Sequence, residues 1–143
     1  MKGFKVGAEG GERLRFSGAE FVVRASGATT GGAFSIVEEI DPLDTPRHTH
    51  RNEDELWYIL EGQHVFQVGD DEVHAGPGDI VFAPRGLPHS QRRVVPRTGR
   101  FLELYAPAGF EGFFRELADA ERSGAPMPEV YESVSDKYGI TWG

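Results

Sequence analysis

Three histidines and one glutamate stand at spacings that could place them around a single metal ion. They are His48, His50, Glu55 and His89. Imidazole nitrogens and carboxylate oxygens are ligands that zinc, iron, nickel, copper and manganese accept in proteins. Side chains return to the same face of a strand every two residues, so His48 and His50 would point the same way in a strand. The sequence therefore predicts one metal site shared between two segments of the chain.

The elements that must position these residues are short apolar stretches in the first two-thirds of the chain. Five such stretches favour β-strands, and turn residues rich in glycine and proline separate them. They are residues 34–40, 56–60, 64–68, 79–83 and 100–105. Many short strands with a turn every 8–12 residues or so are typical of a sandwich or a barrel. We therefore expect an all-β domain.

The chain changes character after Pro107. Apolar residues then recur at helical spacing, at Phe110, Phe113, Phe114 and Leu117. Residues 123–126 break this helix, and Pro128 suits the first turn of a second one that ends at Gly139. We expect two short helices that cover an open edge or end of the β-structure, or that take part in a subunit contact.

Length and composition bound the class of protein. With 143 residues the chain has the length of one ordinary domain, and without cysteine it can form no disulfide and no cysteine-type zinc site. Residues 1–7 lack the apolar stretch of a signal peptide, and no apolar run approaches the length of a membrane span. The formal charge of -8 disfavours nucleic acid and anionic membranes as partners. We expect a cytoplasmic protein that binds a small molecule.

Arginines are concentrated beside the proposed ligands in spite of the acidic total. They are Arg47, Arg51, Arg85, Arg92, Arg93, Arg97 and Arg100. Two interpretations stay open. The arginines either form a solvated set on loops or make an electropositive rim that attracts an anionic substrate.

The segment from His48 to Gly62 resembles the first signature motif of the cupin superfamily. Four residues separate His50 from Glu55, and six separate Glu55 from Gly62, as in the family pattern. The glycine that opens the family motif is missing, because proline and leucine occupy that stretch at residues 42–43.

The segment that follows resembles the second cupin motif. Its matching positions are Gly78, Pro84, Gly86 and His89. Arg93 replaces the asparagine that ends the family motif, which puts any role of that asparagine in doubt. Fifteen residues, 63–77, separate the two motifs, as in compact microbial cupins. The resemblance covers about residues 30–106.

The resemblance implies a jelly-roll β-barrel, a fold that protects its edge strands by pairing two sheets. Residues 1–106 would form this domain, with the motifs in 47–93, and residues 107–143 would be a helical extension packed on it. Cupin motif residues meet inside the barrel on one divalent transition metal, which implies His48, His50, Glu55 and His89 as ligands here. Fe(II) is favoured, with Mn, Ni, Cu or Zn as alternatives. Family habit suggests a homodimer.

Other polar residues could join such a site. His64 shares strand parity with Phe66 and would serve either in acid–base chemistry near the metal or as a hydrogen-bonded core residue. Glu103 would either project inward or lie on the sheet surface. Trp57 and Ile59 share parity with Glu55 and are expected to line the pocket, while Tyr58 faces away. Two further acidic residues are expected to be solvated loop residues, namely Glu53 and Asp54.

Three functions are compatible with this site, because a fold does not fix an activity. The first is a metal-dependent dioxygenase, resembling the small quercetinase-like cupins, that acts on a small aromatic or chelating substrate, with Glu55 as ligand or base. The second is an isomerase, cyclase or lyase in which His64 or Glu55 moves a proton while the metal acts as a Lewis acid. The third is a non-enzymatic barrel that binds a small ligand.

Overall fold

Two antiparallel sheets form the body of the protein. The computed structural model describes residues 1–95 and 98–143. The larger sheet has six strands, in the order β1 (Glu12–Phe16), β2 (Ala19–Ala25), β3 (Ser35–Ile40), β10 (Arg100–Ala106), β5 (Asp54–Glu61) and β8 (Ile80–Ala83). The smaller sheet has five, in the order β11 (Ile140–Trp142), β4 (Thr45–His50), β9 (His89–Arg93), β6 (His64–Val68) and β7 (Asp71–Ala75).

The two sheets face each other across a shared interior. Trp57 of the larger sheet packs on Phe66 of the smaller one, with ring centroids 4.9 Å apart. Within the described ranges no ladder joins the sheets into a closed barrel. The all-β prediction is confirmed, and the predicted barrel takes the form of a jelly roll made of two sheets.

Strand β5 shows how the alternating pattern sets the two faces. Trp57 and Ile59 are buried beside Glu55, whereas Tyr58 is 39% exposed on the opposite face. All five apolar stretches that predict strands form strands, with ends that differ by no more than two residues. Six strands were not among those five stretches, namely β1, β2, β4, β7, β9 and β11.

The C-terminal extension contains two helices and one strand. A short helix α1 (Gly27–Thr30) precedes β3, and α2 (Glu111–Arg122) and α3 (Met127–Tyr138) follow β10. The apolar stripe of α2 packs against β1, β2 and β3 in a core that includes Phe16 and Phe21. No helix of the described residues is long and apolar enough to cross a bilayer.

Gly139 turns the chain from α3 into β11. Its φ is 74°, the left-handed conformation that favours glycine at a helix C-terminus. A Cβ at this position would lie 2.6 Å from Nδ2 of Asn52, so a larger residue would also displace that side chain. Strand β11 then pairs with β4, with Trp142 opposite His48. The extension therefore covers the edge of the smaller sheet with a strand, whereas the sequence predicted helices in this role.

Candidate metal centre

The four predicted ligands converge in the interior between the two sheets. His48 and His50 come from β4, Glu55 from β5 and His89 from β9. One ligand atom from each residue lies within 4.8 Å of the others, and all four side chains are buried. Oε2 of Glu55 lies 3.1 Å from Nε2 of His50 and 3.0 Å from Nε2 of His89. These residues could hold one metal ion.

Hydrogen bonds at the Nδ1 atoms of the three histidines orient the rings so that Nε2 faces the centre. Nδ1 of His48 lies 2.7 Å from the carbonyl of Pro46, and Nδ1 of His89 lies 3.1 Å from that of Leu87. A carbonyl oxygen only accepts, so Nδ1 carries the proton and donates it. Nε2 is then the nitrogen directed inward, and in the neutral ring it has the lone pair that can bind a cation. This arrangement is the one that orients metal-binding histidines in proteins.

Glu53 orients the third histidine, His50. The prediction that Glu53 is a solvated loop residue is wrong. Its Oε1 lies 2.8 Å from Nδ1 of His50, and the side chain is buried. The residue lies in the connection between β4 and β5, where the chain reverses direction and brings the carboxylate of Glu53 back to the imidazole ring of His50. Asp54, the other acidic neighbour, begins β5 and pairs with Arg85. The four donor groups therefore fit a divalent cation, because a hydrogen bond at Nδ1 orients each imidazole.

Burial and close contacts displace the pKa values of these groups in opposite directions. Burial and the neighbouring His89 lower the pKa of His48 to about 4. Burial also disfavours a charged His50, but hydrogen bonds to Glu53 and Glu55 outweigh it and raise the pKa of His50 to about 9. For Glu55 the penalty of burial is outweighed by contacts with His50 and His89, which lower its pKa. At neutral pH Glu55 is therefore ionised and His50 is protonated in the metal-free protein, and cation binding would release a proton from His50.

A cavity of about 180 Å³ adjoins the centre, and aromatic rings form most of its walls. The rings from the sheets and helices are Phe16, Phe21, Trp57, Phe101, Tyr105, Phe110, Phe113, Phe114, Tyr131 and Trp142. Three of the four candidate ligands line the cavity, namely His48, His50 and Glu55. An engineered apolar cavity of about 150 Å³ takes up benzene, so this one suits a molecule built on a single ring.

Tryptophan lies on both sides of the histidine group. The ring of Trp57 lies 5.2 Å from that of His89, and the ring of Trp142 lies 5.2 Å from that of His48. Nε1 of Trp142 donates to Oγ of Ser135 at 2.9 Å, which ties the ring to α3. Trp142 did not emerge from the sequence, because its place depends on β11 pairing with β4.

Glu103 projects into the cavity, as one of the two sequence interpretations expected. The side chain is only 4% exposed, and the hydroxyl of Tyr105 donates to its Oε2. Burial raises the pKa of Glu103 to about 8, so the carboxyl is neutral at pH 7. Gln91 also lines the cavity and was missed, although its parity with His89 along β9 was a signal for it.

His64 is buried but lies away from the four ligands. In the β6–β9 register it faces Arg93, whereas His89 faces Val68. Its ring packs against Phe101 at 5.3 Å, and its Nε2 lies 3.1 Å from the carbonyl of Glu61. The structure therefore does not bring His64 to the candidate metal centre, and its catalytic role stays a prediction.

Most of the described arginines near the site are paired with acidic side chains. Four of them form ion pairs, in the combinations Arg85–Asp54, Arg92–Glu72, Arg93–Asp44 and Arg100–Glu38. Arg47 donates to the carbonyl of Gly69, and Arg97 lies outside the described residues. These contacts favour a structural set of arginines over a free electropositive rim.

Comparison with known sequences gives one family match and partial matches to individual proteins. Residues 37–105 match the family model of the cupin domain. An acireductone dioxygenase of Rhodopseudomonas palustris is 34% identical over 74 residues, which are 49% of this chain and 43% of that protein. An uncharacterized protein of Methanocaldococcus jannaschii is 29% identical over 62 residues, which are 42% of this chain and 50% of that protein. The chain thus spans half or less of the length of these relatives.

Solved structures of similar fold match most of the chain. KdgF from a Halomonas species has a TM-score of 0.66 at 16% identity, over 78% of this chain and 99% of that one. An RmlC-like cupin from Shewanella frigidimarina has a TM-score of 0.63 at 18% identity, over 78% and 96%. The nucleoside dehydratase Pac13 from Streptomyces has a TM-score of 0.61 at 19% identity, over 78% and 88%. At these identities the likeness concerns the fold alone. The match of residues 37–105 to the family model shows that the chain contains a cupin domain.

Proposed function

We propose that the protein is a metal-dependent enzyme of the dioxygenase type that acts on a small aromatic or chelating substrate. The observation that carries this proposal is the convergence of three imidazoles and one carboxylate within 4.8 Å beside an aromatic cavity. His48, His50, Glu55 and His89 would hold Fe(II), with Mn, Ni, Cu or Zn as alternatives. When bound, the metal would supply a Lewis acid with open positions for substrate oxygens and dioxygen.

The residues that line the cavity support oxygen chemistry because they exclude water from the space beside the candidate metal centre. The cavity walls are mainly apolar and include six phenyl and two indole rings, so a bound ring would fill the space that water could occupy. Glu55 would serve as a ligand, or as a base if it leaves the metal. The partial match to an acireductone dioxygenase also supports an oxygenase, although it covers under half of that protein.

A metal-dependent lyase or isomerase is the second candidate, and Glu103 favours it. A neutral carboxyl inside the cavity could deliver a proton to a substrate whose carbonyl is polarised at the metal. The predicted acid–base role of His64 has less support. In the smaller sheet His64 pairs with Arg93, which lies four residues along β9 from the candidate ligand His89.

Oxygen uptake separates these candidates. With Fe(II) loaded and an aromatic chelating substrate such as a catechol, we expect oxygen consumption coupled to substrate loss, measured with an oxygen electrode. Zinc-loaded protein and the His89→Ala variant are the matched controls, and both should be silent. Turnover that continues without oxygen, or with zinc in place of iron, would contradict the dioxygenase and favour the lyase. Binding without turnover under every condition would leave a ligand-binding protein.

We also propose a homodimer built on the outer face of the larger sheet. Strand β8 is an edge strand, and its outward side chains Ile80 and Phe82 are 62% and 52% exposed. An apolar edge strand invites pairing with a second copy. Light scattering after size exclusion is expected to give twice the chain mass, and the double change Ile80→Glu and Phe82→Glu should give monomers. Val94→Glu, an exposed apolar position after β9, is the control that should remain dimeric.

A further inference from the structure

We propose that Gln91 and Glu103 form a second recognition point that binds a hydroxyl group of the substrate, one side-chain layer away from the metal centre. This inference rests on the proposed function and narrows its substrate class. The substrate would be a planar ring with two adjacent oxygens for the metal and a further hydroxyl that reaches these two residues.

The registers of both sheets place the two side chains in the same layer. In the larger sheet Tyr105 pairs with Glu55 in the metal layer, and Glu103 pairs with Trp57 two positions further on. In the smaller sheet His89 pairs with Val68, and Gln91 pairs with Phe66 two positions further on. The contact of Trp57 with Phe66 ties these second layers together across the interior. Two residues along a strand span about 7 Å, which is the scale of one substituted ring.

Each of the two side chains has one polar atom held by the protein and one without a partner. Nε2 of Gln91 donates to the carbonyl of Leu43, and Oε2 of Glu103 accepts from the hydroxyl of Tyr105. The remaining oxygens, Oε1 of Gln91 and Oε1 of Glu103, are buried and lack a hydrogen bond within the described part of the chain. Buried polar atoms in native proteins are nearly always satisfied. Both residues line the same cavity from opposite sheets, so one ligand group lying between them could satisfy both oxygens.

The two orphan oxygens have complementary hydrogen-bonding roles. Oε1 of Gln91 can only accept. Burial raises the pKa of Glu103 to about 8, and its Oε2 already accepts from Tyr105, so Oε1 carries the proton at pH 7 and donates. A hydroxyl is the simplest group that donates to one oxygen and accepts from the other. Other ionisable side chains line the same cavity, namely Glu39, Asp44, His48, His50, Glu55, Tyr105 and Tyr131.

Binding of two probes to zinc-loaded protein under anaerobic conditions tests the inference without turnover. Catechol has only the two adjacent hydroxyls that would chelate the metal, whereas 1,2,4-trihydroxybenzene has a third hydroxyl on the far side of the ring. We expect the triol to bind roughly tenfold more tightly, which is the factor that one buried hydrogen bond can supply. Tryptophan fluorescence reports binding, because both tryptophans line the cavity.

Matched variants separate recognition from packing. Gln91→Leu and Glu103→Leu should bring the ratio of the two affinities close to one. Glu103→Gln should keep the preference, because its amide nitrogen can donate while its oxygen accepts from Tyr105. In the wild-type protein the preference should fall as the pH rises from 7 to 9 and the carboxyl ionises, whereas Glu103→Gln should show no such fall.

Two outcomes would overturn the inference. One is equal affinity of wild-type protein for both probes at pH 7, and the other is a preference that the leucine variants leave unchanged. If a leucine variant does not fold, the comparison of the wild type with Glu103→Gln across pH still decides the matter. Failure of zinc or catechol to bind at all would instead contradict the proposed metal-dependent function.

Discussion

Replacement of His50 or His89 by alanine is expected to abolish stoichiometric metal binding while the β-fold remains. Nε2 of each ring faces the shared centre within about hydrogen-bonding distance of Oε2 of Glu55. Loss of either ring leaves two imidazoles and one carboxylate, together with a gap that water can enter. Elemental analysis of purified protein, combined with circular dichroism, measures occupancy and folding in the same samples.

His89→Ala is the cleaner of the two variants. Without His89, Oε2 of Glu55 still lies 3.1 Å from His50, so the buried carboxylate keeps a partner. Without His50, the buried Glu53 loses its hydrogen-bonded partner, and a buried charge without its partner can cost about 3–5 kcal/mol. We therefore expect His50→Ala to be the less stable variant, with the same loss of metal.

Two other histidines serve as controls for this experiment. His74 has an exposed side chain, so His74→Ala should change neither stability nor occupancy. His64 is buried but outside the candidate centre, so His64→Ala tests whether a buried histidine as such affects metal content. Full occupancy in both His50→Ala and His89→Ala would exclude the assigned ligands.

The candidate ligands could be found in the sequence because their spacing reflects local geometry. His48 and His50 share a face of β4 by parity alone, and the same rule correctly places Trp57 inside and Tyr58 outside. Strand β9 was harder to predict from hydrophobicity. It reads His-Ser-Gln-Arg-Arg, because its inward positions carry a candidate ligand and a polar cavity residue instead of apolar side chains.

Features that depend on how distant segments meet could not be predicted from local patterns. The burial of Glu53 follows from the reversal between β4 and β5, which brings its carboxylate under the ring of His50. The place of His64 depends on the stagger of β6 against β9, since parity predicts the face but not the depth. Trp142 reaches His48 only because Gly139 returns the chain to the edge of the smaller sheet.

The Glu103→Gln variant is expected to be more stable than the wild type at pH 9 and similar to it at pH 4. The fold raises the pKa of Glu103 from an ordinary value near 4.5 to about 8. A raised pKa means that the native state binds the proton more tightly than the unfolded chain does. The stability that this provides is complete below about pH 4.5 and declines as the pH rises towards 8. Above pH 8 the wild-type protein must bury a carboxylate, at a cost on the order of several kcal/mol.

Thermal or urea unfolding of metal-free protein at pH 4, 7 and 9 measures this difference. Gln keeps the shape of the side chain and an oxygen that can accept from Tyr105, so packing is preserved while the ionisation is removed. Because His48 and His50 titrate in both proteins, their contributions largely cancel when the variant is compared with the wild type.

Glu132→Gln, at an exposed position of α3, should show no pH-dependent gain. A gain that stayed the same at pH 4 and pH 9 would mean that the fold does not raise the pKa of Glu103. The carboxyl would then be ionised at pH 7, and its Oε1 could only accept a hydrogen bond from a substrate hydroxyl.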